Sequence, residues 1–97
     1  MQNQIIQLVT ANSFNEEKNF NIASTIINEN VRISTAAIFY DEWFGKRFQL
    51  ETWIFKKEGH SLMKIHDVPS NQNGLDYCKR FHVIASKIVD YKLRNNA

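Results

Sequence analysis

Two runs of strand-forming residues, separated by a short segment around a lone glycine, constrain this chain more than any other feature. Residues 31–40 and 48–55 are rich in β-branched and aromatic side chains, and Gly45 lies between them. Such residues favour β-strands, and a short connection that contains glycine is typical of an antiparallel hairpin. The sequence therefore predicts a β-hairpin over residues 31–55.

The second strand of this hairpin alternates between two kinds of side chain. Positions 48, 50, 52 and 54 are Phe, Leu, Thr and Ile, whereas positions 49, 51, 53 and 55 are Gln, Glu, Trp and Phe. Because successive side chains of a strand point to opposite faces of the sheet, these two sets lie on different faces. We expect the first set to pack on the core and the second to place Glu51 beside Trp53.

Further strands flank the hairpin. Residues 20–27 alternate with a period of two, residues 61–66 form a short alternating run, and polar turns at 28–30 and 56–59 connect these segments to the hairpin. Residues 5–9 favour a strand but are too few for their period to decide. We expect an antiparallel meander of about four strands, with residues 11–19 as a loop that contains a helical turn at 15–18.

A helix is predicted over residues 75–93, after Pro69 and a polar loop. Large apolar residues recur along it at helical spacing, with a second set alongside, and we expect Phe81, Ile84 and Ile88 to pack on the sheet. The first set is Tyr77, Phe81, Ile84, Ile88 and Tyr91, and the second is Cys78, His82, Ala85 and Val89. The fold class is therefore α+β, as a single domain over 1–97: an N-terminal segment at 1–19, the meander at 20–66 and the helix at 75–93.

Composition narrows the class of protein. An apolar fraction of 43% excludes disorder, and no apolar run is long enough to cross a bilayer. The N-terminus does not resemble a signal peptide and there is one cysteine, so we expect a cytoplasmic protein. The net charge is only +2, but ten of the twelve Lys and Arg residues follow residue 45. A basic C-terminal half leaves nucleic-acid binding open as an alternative function.

Three segments carry a resemblance to known proteins: NIASTII at 21–27, VRISTAAIF at 31–39 and LETWIF at 50–55. Together they resemble a class of small uncharacterised phage and prophage proteins, in which a valine-arginine-valine-serine-threonine strand ends near an aspartate, a second strand begins with glutamate-threonine, and a C-terminal helix carries a histidine. Glu42 and Trp53 depart from that pattern, where histidine and methionine are usual. The resemblance implies a phage origin and the order of the meander, but no activity. The matching residues here are Ser34, Thr35, Asp41, Glu51, Thr52 and His82.

Few residues suggest chemistry. The histidines and carboxylates lack the spacing of metal sites and the glycines are isolated, so we expect neither a metal nor another cofactor. Cys78 has the features of a small buried apolar residue. His82, on the helix, could meet Glu51 of the sheet as a buried polar pair. Such a pair is either an acid–base couple or a histidine that simply satisfies a hydrogen bond.

The segment at 41–47, which we call the hairpin tip, is the best candidate for a binding surface. Trp43, Phe44 and Arg47 are residue types that dominate binding hot spots, and Asp41 and Glu42 would set orientation. The alternative is that the two aromatic rings fold back over the core. The basic residues also suggest a nucleic-acid surface if they share one face: Lys46, Arg47, Lys56, Lys57, Lys79 and Arg80.

These features favour a non-enzymatic, phage-type protein that binds and modulates a host macromolecule in the host cytoplasm, for example an inhibitor of a defence or regulatory protein. The partner we expect is a host protein, and nucleic acid is the alternative. A short sheet with one covering helix also leaves apolar surface exposed, so we expect a homodimer.

Overall fold

The computed structural model describes residues 3–95, which form five antiparallel β-strands followed by one long helix. The strands lie side by side in chain order, so each is paired with its sequence neighbours. The α+β fold predicted from the sequence is therefore confirmed. The elements are β1 (Asn3–Ile6), a 3-10 helix (Ala11–Glu16), β2 (Phe20–Asn28), β3 (Val31–Glu42), β4 (Gly45–Lys56), β5 (Gly59–His66) and α1 (Gln72–Asn95).

The sheet has five strands, where the sequence predicted about four. The additional strand is β1, whose Asn3 to Ile6 pair with Ile26 to Ala23 of β2. It overlaps the segment 5–9 that the sequence favours at residues 5 and 6 and begins two residues earlier, because a short strand takes its position from its pairing partner and not from its own period. The expected loop at 11–19 also begins with the 3-10 helix, where the Thr10 side chain accepts a hydrogen bond from the backbone N–H of Asn12.

The β3–β4 hairpin is longer than predicted. Its two strands are twelve residues each and remain paired as far as Glu42 and Gly45, so only Trp43 and Phe44 form the turn. Gly45 has a φ of 144°, a backbone conformation that residues other than glycine rarely adopt. This glycine allows a tight connection, which places the two aromatic residues at the very end of the ribbon.

Helix α1 covers one face of the sheet, which we call the helix-covered face; the opposite one is the helix-free face. On the helix-covered face, Ile22 and Leu50 pack with Leu75 and Cys78 of the helix. Farther along, a second cluster packs against Val89. Near the hairpin tip, the core is closed by three phenylalanine rings in edge contact, at 5.0 to 5.9 Å between centroids: Phe14, Phe20 and Phe48.

The rotation of α1 differs from the prediction. Ile84 and Ile88 do not pack on the sheet but are 59% and 49% exposed, and Phe81 is half-buried. The side chains that face the sheet are smaller or polar, which allows the helix to approach the strands closely. Adjacent residues of a helix, such as 81 and 82, are separated by about 100° around its axis. A rotation of the helix by that angle therefore replaces the stripe that contains Phe81 with the stripe that contains His82. The buried helix residues are Gly74, Leu75, Cys78, His82, Ala85 and Ser86.

The start of α1 is fixed by local contacts. The Asn71 side chain accepts a hydrogen bond from the backbone N–H of Gly74 at 3.1 Å, which caps the first turn. Any side chain at Gly74 would collide with the Pro69 carbonyl, since a Cβ atom there would lie 1.8 Å from the Pro69 oxygen. Within residues 3–95, no helix is both long and apolar enough to pass through a membrane.

The packing of Leu75 gives a direct test of the helix position. Leu75→Ala removes a fully buried side chain between helix and sheet. We expect it to lower the free energy of unfolding by about 2 to 5 kcal/mol. Leu8 is fully exposed, so Leu8→Ala is the matched control and should change stability by less than about 0.5 kcal/mol. Urea denaturation measures both; equal losses would contradict the described rotation of α1.

Candidate functional site

Two groups of polar side chains are built into the centre of the sheet, one on each face. Glu51 and Thr52 are neighbours on β4, so their side chains point to opposite faces. Thr52 belongs to a hydrogen-bonded network under α1, and Glu51 belongs to a cleft on the helix-free face. These two groups contain most of the candidate chemistry.

The first group is a continuous threonine–histidine network of five buried residues. His82 of α1 contacts two strands at once: its Nε2 lies 2.7 Å from Oγ1 of Thr25, and its Nδ1 lies 2.7 Å from Oγ1 of Thr35. Thr35 in turn contacts Thr52 at 2.7 Å. Thr52 contacts Nε2 of His66 at 2.8 Å. The network therefore connects the helix to β2, β3, β4 and β5.

The protons in this network can be arranged consistently. Each hydroxyl and each neutral imidazole has one proton to donate and can also accept. If Thr25 donates to His82, then His82 donates to Thr35, and the same direction continues through Thr52 to His66. The reverse direction also satisfies all four contacts. A neutral His82 thus uses both ring nitrogens, one as donor and one as acceptor.

Burial keeps the histidines of the network neutral. Desolvation lowers the pKa of His82 to about 4. It also lowers the pKa of His66, with a further contribution from the nearby charge of Lys64. Nδ1 of His66 is buried and has no hydrogen-bond partner among residues 3–95, and the His66 ring lies edge-on to Phe81 at 4.6 Å between centroids. Because both nitrogens of His82 are occupied and the ring is fully buried, this histidine offers no atom to a substrate.

Cys78 is equally inaccessible. Its side chain is fully buried in the core, and desolvation raises the pKa of the thiol to about 12. The thiol therefore remains protonated, and a protonated buried thiol is a poor nucleophile. Among residues 3–95, no three His, Cys, Asp or Glu side chains come together in a group that could hold a metal ion.

The structure does not bring Glu51 and His82 together, so the predicted polar pair is not formed. Both are buried, but on opposite sides of the sheet: His82 lies between α1 and the helix-covered face, and Glu51 lies on the helix-free face. The Glu51 carboxylate instead accepts hydrogen bonds from Trp53 Nε1 and Gln49 Nε2, both at 2.7 Å, and from the Tyr40 hydroxyl at 3.3 Å. Its position beside Trp53 follows the alternation of β4.

The second group surrounds Glu51 in an open cleft of about 400 Å3 on the helix-free face, which we call the aromatic cleft. Its walls are Tyr40, Trp53, Phe55 and His60, and Ser34, Ala36 and Ile38 of β3 also line it. The His60 ring lies 5.5 Å from the rings of Trp53 and Phe55. Burial raises the pKa of the Tyr40 hydroxyl, and the charge of Glu51 adds to this shift, so the hydroxyl stays protonated and donates.

The hairpin tip projects into solvent. Trp43 is 96% exposed and Phe44 is 63% exposed, and their rings contact only at an edge, with centroids 5.5 Å apart. The alternative that these rings fold over the core is therefore excluded. Asp41 is also exposed, and the Glu42 carboxylate lies 3.5 Å from the Arg47 guanidinium.

Arg47 leads from the hairpin tip into the aromatic cleft. Its guanidinium lies 4.5 Å from the centre of the Tyr40 ring and donates to Gln49 at 3.2 Å. Gln49 in turn donates to Glu51. The tip residues and the cleft are thus one continuous surface along β3 and β4.

The six basic residues considered for nucleic-acid binding do not share one face. Lys46 and Lys56 lie near opposite ends of the twelve-residue strand β4, roughly 30 Å apart. Lys46 is paired with Glu17 at 3.0 Å and Arg47 with Glu42. Lys57 lies beside Lys56 at the β4–β5 turn, and Lys79 and Arg80 lie on α1. The described structure therefore divides these charges among three regions.

The residues that carry the phage-protein resemblance fall into three places. Thr35, Thr52 and His82 belong to the threonine–histidine network, Ser34 and Glu51 line the aromatic cleft, and Asp41 is exposed near the tip. Comparisons with protein-family models, with curated proteins and with solved structures found no match to this chain. The phage origin stays a prediction from the resemblance.

Sequence reasoning did not find the network or the cleft as units. A signal for the network is present, because Thr35 and Thr52 interrupt the inward, apolar positions of two central strands. Inward threonines need buried hydrogen-bond partners, and a helix histidine on the same side supplies one. The cleft forms only when β3 pairs with β4, because this pairing brings Tyr40 near Glu51. No local sequence pattern predicts that proximity.

The neutral histidines predict a loss of stability in mild acid. The pKa of His82 is about 4 in the folded protein and 6.5 in its ordinary state. The stabilisation is therefore complete above pH 6.5 and is lost as the pH falls toward 4, because the unfolded chain takes up the proton first. We expect the free energy of unfolding to fall by about 2 kcal/mol between pH 7.5 and pH 5. His66 shifts it in the same direction.

Urea denaturation at a series of pH values measures this dependence. His60 is exposed, so His60→Gln should leave the dependence unchanged and serves as the control. The window above pH 5 lies mostly above the titration of ordinary carboxylates. An unfolding free energy that stays constant from pH 7.5 to pH 5 would show that the histidines are not held neutral by the fold.

Proposed function

We propose that this is a non-enzymatic binding protein that contacts a partner protein through its hairpin tip. The observation that carries the proposal is the nearly complete exposure of Trp43 beside an exposed Phe44. Neither ring contributes to the described core, and exposed apolar area of this kind is disfavoured in water. Contact with a partner gives these side chains a function.

The structure around the tip suits a binding anchor. The turn is held by twelve-residue strands that are paired up to its last residues, so the rings are presented on a defined support. Tryptophan and arginine are the residue types found most often at hot spots, and a pre-formed site loses little conformational entropy on binding. Arg47 stands directly behind the rings, where its contacts with Tyr40 and Glu42 orient its guanidinium.

The accessible chemistry also favours binding over catalysis. The groups best suited to nucleophilic or acid–base chemistry, Cys78 and His82, are fully buried and uncharged at neutral pH. Together with the resemblance to phage proteins, this supports a phage-type protein that acts in the cytoplasm of its host. We propose a host protein as the partner, for example a defence or regulatory protein that is inhibited when it is bound.

Removing the anchors tests the proposal. The double variant Trp43→Ala, Arg47→Ala changes exposed side chains, so its melting temperature should remain within a few degrees of the wild type. Binding to the partner should weaken by about 2 kcal/mol or more, as truncation of a hot spot does. The measurement compares the host proteins retained by immobilised wild type and variant, followed by titration of the protein that is lost.

Lys57→Ala provides the control, since Lys57 is exposed at the turn on the opposite end of β4. It should retain the same partner as the wild type. Equal retention by the tip variant would contradict the proposed site. If the retained molecule is instead a nucleic acid, released by nuclease and with a steep dependence on salt, the alternative function holds and the proposal is wrong.

We also propose that the protein is a homodimer that pairs through α1. Four large side chains form an exposed stripe along one side of this helix: Tyr77, Ile84, Ile88 and Tyr91. Apolar stripes at this spacing pack against other helices. We expect the two helices to run antiparallel, so that the same stripe of both subunits meets across a two-fold axis.

Light scattering should therefore return the mass of a dimer. Ile84 lies near the middle of the stripe, so Ile84→Glu places two like charges close to the symmetry axis and should give a monomer. Leu8→Glu makes the same change at a fully exposed position outside α1 and should remain dimeric. A wild-type protein that is monomeric at high concentration would contradict the dimer, and a dimer that survives Ile84→Glu would exclude α1 as its interface.

A further inference from the structure

The charge of Glu51 is unusual for its position. Glu51 is only 4% exposed, and its carboxylate accepts hydrogen bonds from three neutral groups. Among residues 3–95, no Lys, Arg or His forms an ion pair with it, and the ion pairs of this part of the chain involve other carboxylates. A buried carboxylate without a cation retains a favourable interaction for any positive group that reaches it.

The carboxylate also has room for a further donor. Its Oε2 atom accepts from Gln49 and Tyr40, whereas Oε1 accepts only from Trp53 among the described residues. A carboxylate oxygen can accept two hydrogen bonds. Since Glu51 lines the aromatic cleft, a donor that enters from solvent can reach this carboxylate.

The walls of the cleft already bind guanidinium groups within the chain. Arg47 lies 4.5 Å from the centre of the Tyr40 ring, and Arg32 lies 4.5 Å from the centre of the Phe55 ring. Trp53 stands on β4 between these two stacked pairs, and no described arginine or lysine covers its ring. Tryptophan is the aromatic side chain that attracts cations most strongly.

From these observations we infer that the aromatic cleft binds an arginine side chain of a partner protein, whose guanidinium lies over Trp53 with Glu51 as its counter-ion. The guanidinium would stack on Trp53, between the Arg47–Tyr40 pair and the Arg32–Phe55 pair. It would also supply the positive charge that Glu51 lacks. That the arginine comes from a protein rests on the proposed function, and the cleft continues from the tip that carries the proposed anchors.

The chemistry of the cleft selects arginine over other ligands. A guanidinium is planar, stacks on aromatic rings and donates to a carboxylate at the same time, whereas an ammonium group is a strongly hydrated point charge. A phosphate would be repelled by Glu51. An apolar side chain would bury this carboxylate further without a compensating charge.

The test uses the whole protein and a small probe. Acetyl-Gly-Arg-Gly-amide is titrated at millimolar concentration while the indole N–H signal of Trp53 is followed by NMR, with Trp43→Phe identifying which of the two indole signals belongs to Trp53. We expect a saturable shift of the Trp53 signal. The same peptide with citrulline, which is uncharged and nearly identical in shape, should bind at least tenfold more weakly. The lysine peptide should fall between them.

Variants assign the effect to Glu51. Glu51→Gln removes the charge and should weaken binding of the arginine peptide at least tenfold, whereas Glu58→Gln, at the exposed β4–β5 turn, should not change it. If Glu51→Gln does not fold, Trp53→Phe keeps an aromatic ring of weaker cation affinity and should weaken binding several-fold, followed through backbone signals of β4. Equal binding of arginine and citrulline, an unmoved Trp53 signal, or a stronger shift with an oligonucleotide would overturn the inference.

The outcome separates this inference from the proposed function. The peptide titration needs no partner and does not depend on Trp43. A cleft that fails to bind arginine leaves the role of the hairpin tip intact. A tip variant that still captures its partner contradicts only the proposed function.

Discussion

The structure depends on one buried interaction, the contact of His82 with Thr25 and Thr35. A histidine that bridges two strands fixes both the height and the rotation of the helix, because each ring nitrogen has to meet its hydroxyl. The small residues around it, such as Ala85, let the helix come close enough for these contacts. The network then continues through Thr52 to β5, so the far edge of the sheet is also tied to the helix. An apolar core could hold the helix more loosely, whereas a satisfied polar network specifies one arrangement.

The helix-free face follows from the same strands. Each inward threonine has an outward neighbour, and on β4 that neighbour is Glu51, whose carboxylate is surrounded by aromatic rings instead of solvent. The two faces of the sheet therefore accommodate their buried polar groups in different ways. Under the helix, the network keeps its histidines neutral. On the open face, no Lys, Arg or His among residues 3–95 forms an ion pair with the carboxylate, which leaves it available to a positive charge from outside the chain.

The sequence predicted what depends on local pattern. The alternation of β3 and β4 gave the hairpin and the correct faces, and apolar spacing gave the helix. The predicted rotation of α1 was wrong because it was based on hydrophobicity, and Ile84 and Ile88 are more hydrophobic than the smaller residues of the helix. The contact with the sheet is determined instead by close packing and by the hydrogen bonds of His82. The pairing of Glu51 with His82 already conflicts with the alternation of β4, since Thr52 occupies the face toward the helix. The short turn at the tip depends on strand pairing up to Gly45.

The most direct test of this account is the state of the His82 ring in solution. NMR of the imidazole nitrogens reports both the protonation and the tautomer of each histidine. The network predicts that His82 stays neutral from pH 7 down to pH 5, with a ring proton that exchanges slowly with water. A His82 ring that gains a proton near pH 6.5, or whose ring proton exchanges rapidly with water, would contradict the central role given to this contact.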